Sequence, residues 1–354
     1  MTDTATMTTE AEKHVAPQAD HAEAGKTLLQ RIAQLRAWLF LAALIIIFEI
    51  WSRISFGGTF AFSSFNWQSV AIFAIAPLLI AVGQTFVIIS GGIDLSTGFI
   101  MGLAAVVAAH LTNIAGLYMP LPFAMLFGIL GSILAAAVPG VVNGLLISRL
   151  KIPPFIGTLG MFGVARGAAF LLAGGTTVPV SNSWFAALGN GRLFGVPYLV
   201  IVTGIFVLAM HYVLSQTRFG QHNYAIGANA QAARRAGIDI KAHILKLYVL
   251  SAMCAGIGGA LYAARFTAGA AQAGEPLLLD SVAAVVIGGA SLFGGSGSII
   301  GTVAGALVIA VIQYGLVFID VEPFWQFIAV GVVIIISVLI DQAQRRFSGG
   351  KQDE

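Results

Sequence analysis

Apolar residues run along this chain in long blocks. Ten can be drawn, at roughly residues 37–51, 69–90, 95–112, 121–148, 155–173, 198–215, 247–266, 277–292, 297–318 and 325–341. About 20 consecutive apolar residues is the length of helix that crosses the hydrocarbon core of a bilayer. The pattern therefore predicts an all-α polytopic membrane protein with about ten transmembrane or re-entrant helices. No long polar linker divides these blocks, so residues 37–342 read as one membrane domain. The polar stretch 1–36, with Glu10, Glu12, Asp20 and Glu23, reads as a disordered tail. A secretory signal would carry its apolar core nearer the start. Residues 343–354 form a second short tail.

Composition agrees with the pattern. Of the 354 residues 58% are apolar and 9% charged, against about a quarter charged in soluble proteins. The formal charge of +3 suggests no nucleic acid partner, because the basic residues lie beside membrane segments. Lysine and arginine favour the cytoplasmic side. Lys13, Lys26, Arg31 and Arg36 precede the first segment, Arg149 and Lys151 follow the fourth, and Arg218, Arg234, Arg235, Lys241 and Lys246 follow the sixth. Arg345, Arg346 and Lys351 end the chain. An even number of crossings puts all of these on the side shared by the two termini, which is therefore expected to be cytoplasmic. The longest polar stretch between segments, 216–246, lies there too. Cys254 is the one cysteine and the six histidines are scattered, which excludes an internal disulfide framework and a Cys-based zinc site. AGKT at 24–27 imitates the end of a phosphate-binding loop, but Asp20 replaces the earlier glycine and no strand precedes it.

The polar and glycine interruptions carry the candidate chemistry. In VIISGGIDLSTG, 87–98, Gly91 and Gly92 fall near the end of a 22-residue helix, about 33 Å long. One reading is a capped turn, with Asp94 or Ser96 accepting a backbone N–H. The other is a broken helix lining a polar cavity, since a carboxylate at membrane depth is costly without a role. VVIGGASL, 285–292, echoes this stretch, and paired glycine-broken segments often flank a transport path. Leu277–Ile287 is about 17 Å of helix, too short to span. Asp280 is a candidate N-cap for it, and Gly288 and Gly289 open an expected re-entrant loop. The glycine stripes Gly297/Gly301/Gly305, Gly140/Gly144 and Gly163/Gly167 predict close helix packing within the bundle or, for some, a dimer face. Gln84, Asn143 and Gln313 are further polar pathway candidates, each equally able to satisfy a neighbouring backbone group. In AIGANAQAARRAGIDIKAH, 225–243, Asn229 suits an N-cap, Ala230–Ala236 a two-turn helix, and Gly237 the C′ position. Arg234 and Arg235 then complement the macrodipole.

Four stretches together resemble the ribose-type family of bacterial ABC sugar permeases, related to the branched-chain amino-acid permeases. They are ISGGIDLSTG (89–98), PPFIGTLGMFGVARG (153–167), AIGANAQAARRAGI (225–238) and LDSVAAVVIGGASLFGGSGSIIGTVAGAL (279–307). The resemblance implies a non-enzymatic inner-membrane importer subunit for a monosaccharide or related polyol. Its implied partners are a second permease copy, an external sugar-binding protein and cytoplasmic ATPase subunits that hold ATP-Mg. Ala225, Gly227, Asn229, Ala232, Ala233, Gly237 and Ile238 match the family's coupling helix, joined here by Arg234 and Arg235. The ARG context gives Arg166 a family counterpart, with Asp94 as the expected partner or, alternatively, a snorkelling position. A branched-chain amino-acid permease is the rival within the class. An ion-coupled transporter, for which only Glu49, Asp94 and Asp280 could serve, is the rival outside it.

Overall fold

The computed structural model describes residues 18–322 and 324–349, with side chains from 35 to 339. The described residues fold into thirteen helices and four two-residue strands. They are α1 (Gln18–Phe56), α2 (Ser64–Ile89), α3 (Thr97–Ala115), α4 (Leu121–Ser148) and α5 (Pro154–Ala173), followed by β1 (Val178–Pro179), α6 (Ser183–Asn190), β2 (Arg192–Leu193) and β3 (Val196–Pro197). Then come α7 (Tyr198–Gln216), α8 (Arg218–Ala228), α9 (Ala230–Arg235), α10 (Ile240–Phe266), β4 (Ala268–Gly269), α11 (Leu277–Ile287), α12 (Ile299–Phe318) and α13 (Phe324–Gly349). Eight helices among the described residues are long and apolar enough to cross a membrane, and α11 and 324–339 are shorter apolar helices. These ten account for all ten apolar blocks. The protein is a polytopic all-α membrane protein.

Helix α1 begins at Gln18, inside the stretch expected to be a disordered tail. Its sequence there, rich in Ala, Glu, Gln, Leu and Arg, has strong helix propensity and continues without a break into the apolar block. Residues 1–17 lie outside the described residues.

Helix α2 forms the centre of the bundle, with 83% of its most apolar window buried, against 17% for α1. Proximity to α10 explains this. A Cβ on Gly83 would press on the Ser251 backbone at 2.8 Å, so the two helices meet backbone to backbone. A Thr85–Thr302 hydroxyl bond of 2.7 Å joins α2 to α12. One end of the bundle gathers the C-termini of α2 and α4, the N-terminus of α10, and α8 and α9. This is the basic end, since Arg149, Lys151, Arg218, Arg234, Arg235, Lys241 and Lys246 all belong to it. The far end is tied by the antiparallel β1–β4 pair and by Arg265 donating to Asn190 Oδ1 at 2.8 Å.

Between α10 and α11 the chain does not form the re-entrant hairpin expected from sequence. The irregular, turn-rich run 267–276 enters from the far end along α3. Gly269 faces Ala105, Ala271 faces Gly102 and Gly274 faces Gly98, after which α11 continues to the basic end. A side chain at Gly102 would collide with the Ala271 carbonyl, so glycine permits this contact. Non-helical backbone survives there because it packs against α3 on one side and lines a cavity on the other. Gly288 and Gly289 consequently turn at the basic end rather than inside the membrane. Asp280 is not the N-cap of α11. Pro276 holds that position, and Asp280 lies within the first turn.

Candidate coupling and pathway sites

The loop between α7 and α10 forms two helices where one was expected. Thr217 caps α8 by accepting from Gly220 N. Asn229 Oδ1 accepts from Ala232 N at 3.0 Å and starts α9. At its end, Gly237 N donates to Arg234 O at 3.0 Å and Ile238 N to Ala233 O at 3.1 Å. This 6→1 and 5→2 pair needs a left-handed residue between them, and Gly237 supplies it at φ +84°. Ala233 is buried, while Arg234 and Arg235 on the same helix are exposed. A short, well-capped knob therefore presents two cations at the basic end.

Helix α8 fixes this knob to the bundle. Asn223 Nδ2 donates to Phe86 O at 2.9 Å, near the end of α2. Tyr224 Oη donates to Gly297 O at 2.7 Å, and burial raises this hydroxyl above its ordinary pKa, so it remains a donor. Gly227 lies directly against the Ile89 carbonyl and Gly295 N, and Gly295 N itself donates to Ile89 O at 2.8 Å. The two echoed glycine turns also meet, with the Gly91 backbone beside Gly294. A single joint thus unites α8, the end of α2 and the 288–298 turn. Ala225 and Gly227 belong to α8, whereas Ala232, Ala233, Arg234 and Arg235 belong to α9.

Gln84, Asp94 and Asn143 form one buried network. Asp94 Oδ1 accepts from Ser96 N at 3.1 Å and from Ser96 Oγ at 2.5 Å, and the Ser251 hydroxyl faces the same carboxyl. Gln84 Nε2 donates to Asp94 O and to Thr97 Oγ1 at 3.1 Å. Asn143 Nδ2 donates to Ser96 Oγ at 2.8 Å, and Tyr248 Oη to Ile93 O at 3.2 Å. Helix α3 consequently starts beside Gln84, more than a turn short of the end of α2. Gln84 of α2 and Tyr248 of α10 satisfy carbonyls of the broken backbone here, and Asn143 of α4 holds the Ser96 hydroxyl. Gly91 and Gly92 make the turn itself, with Gly91 at φ +82°. These groups brace the break between α2 and α3 and are closed to solvent in this structure, with Gln84, Asp94, Ser96 and Asn143 all 0% exposed.

Arg166 does not pair with Asp94. It is exposed on α5, with its guanidinium 5.3 Å from the Phe99 ring centre. Asp94 is enclosed by hydroxyls and an amide instead. Glu49, weighed as an ion-coupling group, accepts from Arg53 at 2.5 Å and from Phe60 N and Ala61 N at 2.8 Å each, and so holds the α1–α2 turn. Asp280 Oδ2 accepts from Gln313 Nε2 at 2.7 Å, and both line a cavity at the far end. Of the glycine stripes, Gly140 and Gly144 pack against α10, and Gly301 and Gly305 against Gly288 and Ala284. Gly160, Gly163 and Gly167 on α5 meet nothing within 4 Å.

Sequence reasoning missed Asn223, Tyr224, Tyr248 and Ser251. The run QHNY directly before the coupling stretch could have flagged the first two. The others are a hydroxyl and a lone tyrosine inside the apolar helix α10, indistinguishable there from ordinary packing residues. Ser96, expected as a cap, stands at the N-cap position of α3 but its side chain makes no capping bond. Among the described residues no group of three His, Cys, Asp or Glu side chains could hold a metal ion.

Residues 66–338 match the family described as the branched-chain amino acid transport system / permease component. The chain belongs to this family. Similar permeases include the fructose import permease protein of Rhizobium meliloti, 34% identical over 340 residues that cover 91% of this chain and 90% of that protein. The ribose import permease protein of Escherichia coli K12 is 34% identical over 321 residues, or 88% of this chain and 96% of its own length. The galactose/methyl galactoside import permease protein of the same strain is 34% identical over 314 residues, 84% and 92% of the two chains. The chain is a multi-pass permease subunit of a bacterial inner-membrane transport system.

Proposed function

We propose that this permease forms half of the translocation path of an ATP-driven importer for a monosaccharide or related polyol. In this reading the basic end faces the cytoplasm, as lysine and arginine placement favours. Separate ATPase subunits carry ATP-Mg and dock on α9, and an external binding protein delivers the sugar to the far end. ATP binding on those subunits then shifts an equilibrium between inward- and outward-open states through contacts that differ between them.

The observation that carries this reading is the joint at Gly227. A knob with two exposed arginines is bonded through α8 to the end of α2 and to the 288–298 turn. Any displacement of α9 is therefore delivered at once to two segments of the bundle. The sugar cargo named for three relatives supports the choice of substrate. A second copy of this chain fits the open glycine face of α5. That face also carries exposed Arg166, which is costly against lipid but not against a partner or a hydrated path.

The test is uptake of radiolabelled ribose, fructose, galactose and leucine into proteoliposomes holding the permease with its ATPase and binding protein. ATP-dependent accumulation of a sugar is expected. Accumulation of leucine alone would assign the amino-acid rival, and sugar uptake in vesicles lacking the ATPase would assign ion coupling.

A further inference from the structure

A cavity of about 810 Å³ opens among the far-end halves of α2, α10 and α12, the α11 N-terminus and the start of α13, walled on one side by the turn-rich run before α11. Small-ligand sites are commonly about 300–1,000 Å³, so the volume accommodates a hydrated monosaccharide. Its lining includes Gln272, Glu275, Asp280, Gln313 and Gln326. Three amides and two carboxylates at this depth would be poorly matched to lipid tails. The Asp280–Gln313 bond of 2.7 Å joins α11 to α12 across the cavity wall. Phe73 and Tyr262 add flat apolar faces.

The chemistry of the lining selects its occupant. Glutamine both donates and accepts, and a carboxylate accepts through two oxygens. Sugar hydroxyls, which also do both, can engage every one of these groups. A free amino acid needs a cation for its carboxylate. Arg265 is the one cation in the lining, and Glu275 and Asp280 outnumber it, so the lining as a whole does not favour an anion. We infer that this cavity is the solute site of the permease and binds an uncharged polyhydroxylated molecule. The inference rests on the importer reading above and gives it a location.

The experiment uses the complete transporter in proteoliposomes with radiolabelled ribose, fructose and galactose. Gln272 is exposed, so Gln272→Trp fills the space without disturbing the Asp280–Gln313 pair, and Gln272→Ala is the small control. Gln272→Trp is expected to lower uptake at least tenfold with ATPase activity retained, while Gln272→Ala, which removes one amide without filling the space, lowers it by a smaller factor. Gln313→Leu removes a hydrogen bond to a carboxylate and is expected to lower uptake by about 10- to 100-fold. A membrane-impermeant thiol reagent should modify Gln272→Cys, and the transported sugar should slow that reaction. Normal sugar uptake by both Gln272→Trp and Gln313→Leu would overturn the location while leaving the importer reading intact. Absence of ATP-dependent sugar uptake in the wild type would overturn both.

Discussion

Replacing Gly227 with valine isolates the mechanical joint from the docking surface. The new Cβ would fall onto the Ile89 carbonyl and Gly295 N. Both are backbone atoms, so no side chain can swing aside. Overpacking of this kind costs about 1–3 kcal/mol. Separating the surfaces also breaks the 2.8 Å bond from Gly295 N to Ile89 O, worth about 1 kcal/mol. The joint would then be weakened by about 2–4 kcal/mol, a factor of roughly 30 to 1,000 in its closed population. Asn229, Arg234 and Arg235 lie beyond the break, so ATPase docking should survive. The expected result is ATP hydrolysis within about twofold of wild type, with sugar uptake more than tenfold lower. Uptake and hydrolysis that both remain at wild-type levels would refute the transmission route. A loss of ATPase co-purification would show instead that Gly227 belongs to the docking surface.

Three further outcomes follow from the same geometry. Arg234→Glu with Arg235→Glu should abolish ATPase co-purification while membrane insertion, followed by protease protection, is unchanged. Gly237→Val forces a branched residue into φ +84° and should shorten α9, with uptake lowered severalfold and thermal stability by about 1–2 kcal/mol; an unchanged melting curve would contradict the assigned cap. Asp94→Leu leaves the Ser96 hydroxyl and the Ser96 N–H without their acceptor and should destabilise the purified permease by about 1–3 kcal/mol. Asp94→Asn, which keeps an oxygen for Ser96, should cost clearly less.

The number and position of the membrane helices were legible because each apolar block is long enough to define one helix. The knob was equally legible, since Asn229 and Gly237 are local signals that need no tertiary information. Pairings were not. Arg166 and Asp94 are two charges in an apolar chain, and sequence invites joining them. In the fold, Asp94 is sealed by Ser96 and its neighbours, while α5 turns Arg166 outward beside Phe99. The non-helical run before α11 was also hidden, because its path depends on Gly98, Gly102, Gly269 and Gly274 allowing backbone contact between distant segments. The α8 helix escaped notice because its anchoring residues, Asn223 and Tyr224, make sense only beside α2 and the turn ending at Gly297.

The direction in which the assembly works depends on which side of the membrane α9 faces. Cys254 is buried, so Arg235→Cys provides the one readily accessible thiol among the described residues. An impermeant maleimide should label it in inside-out vesicles and leave right-side-out vesicles unlabelled. Labelling of sealed right-side-out vesicles would contradict the proposed orientation and, with it, the coupling of α9 to a cytoplasmic ATPase.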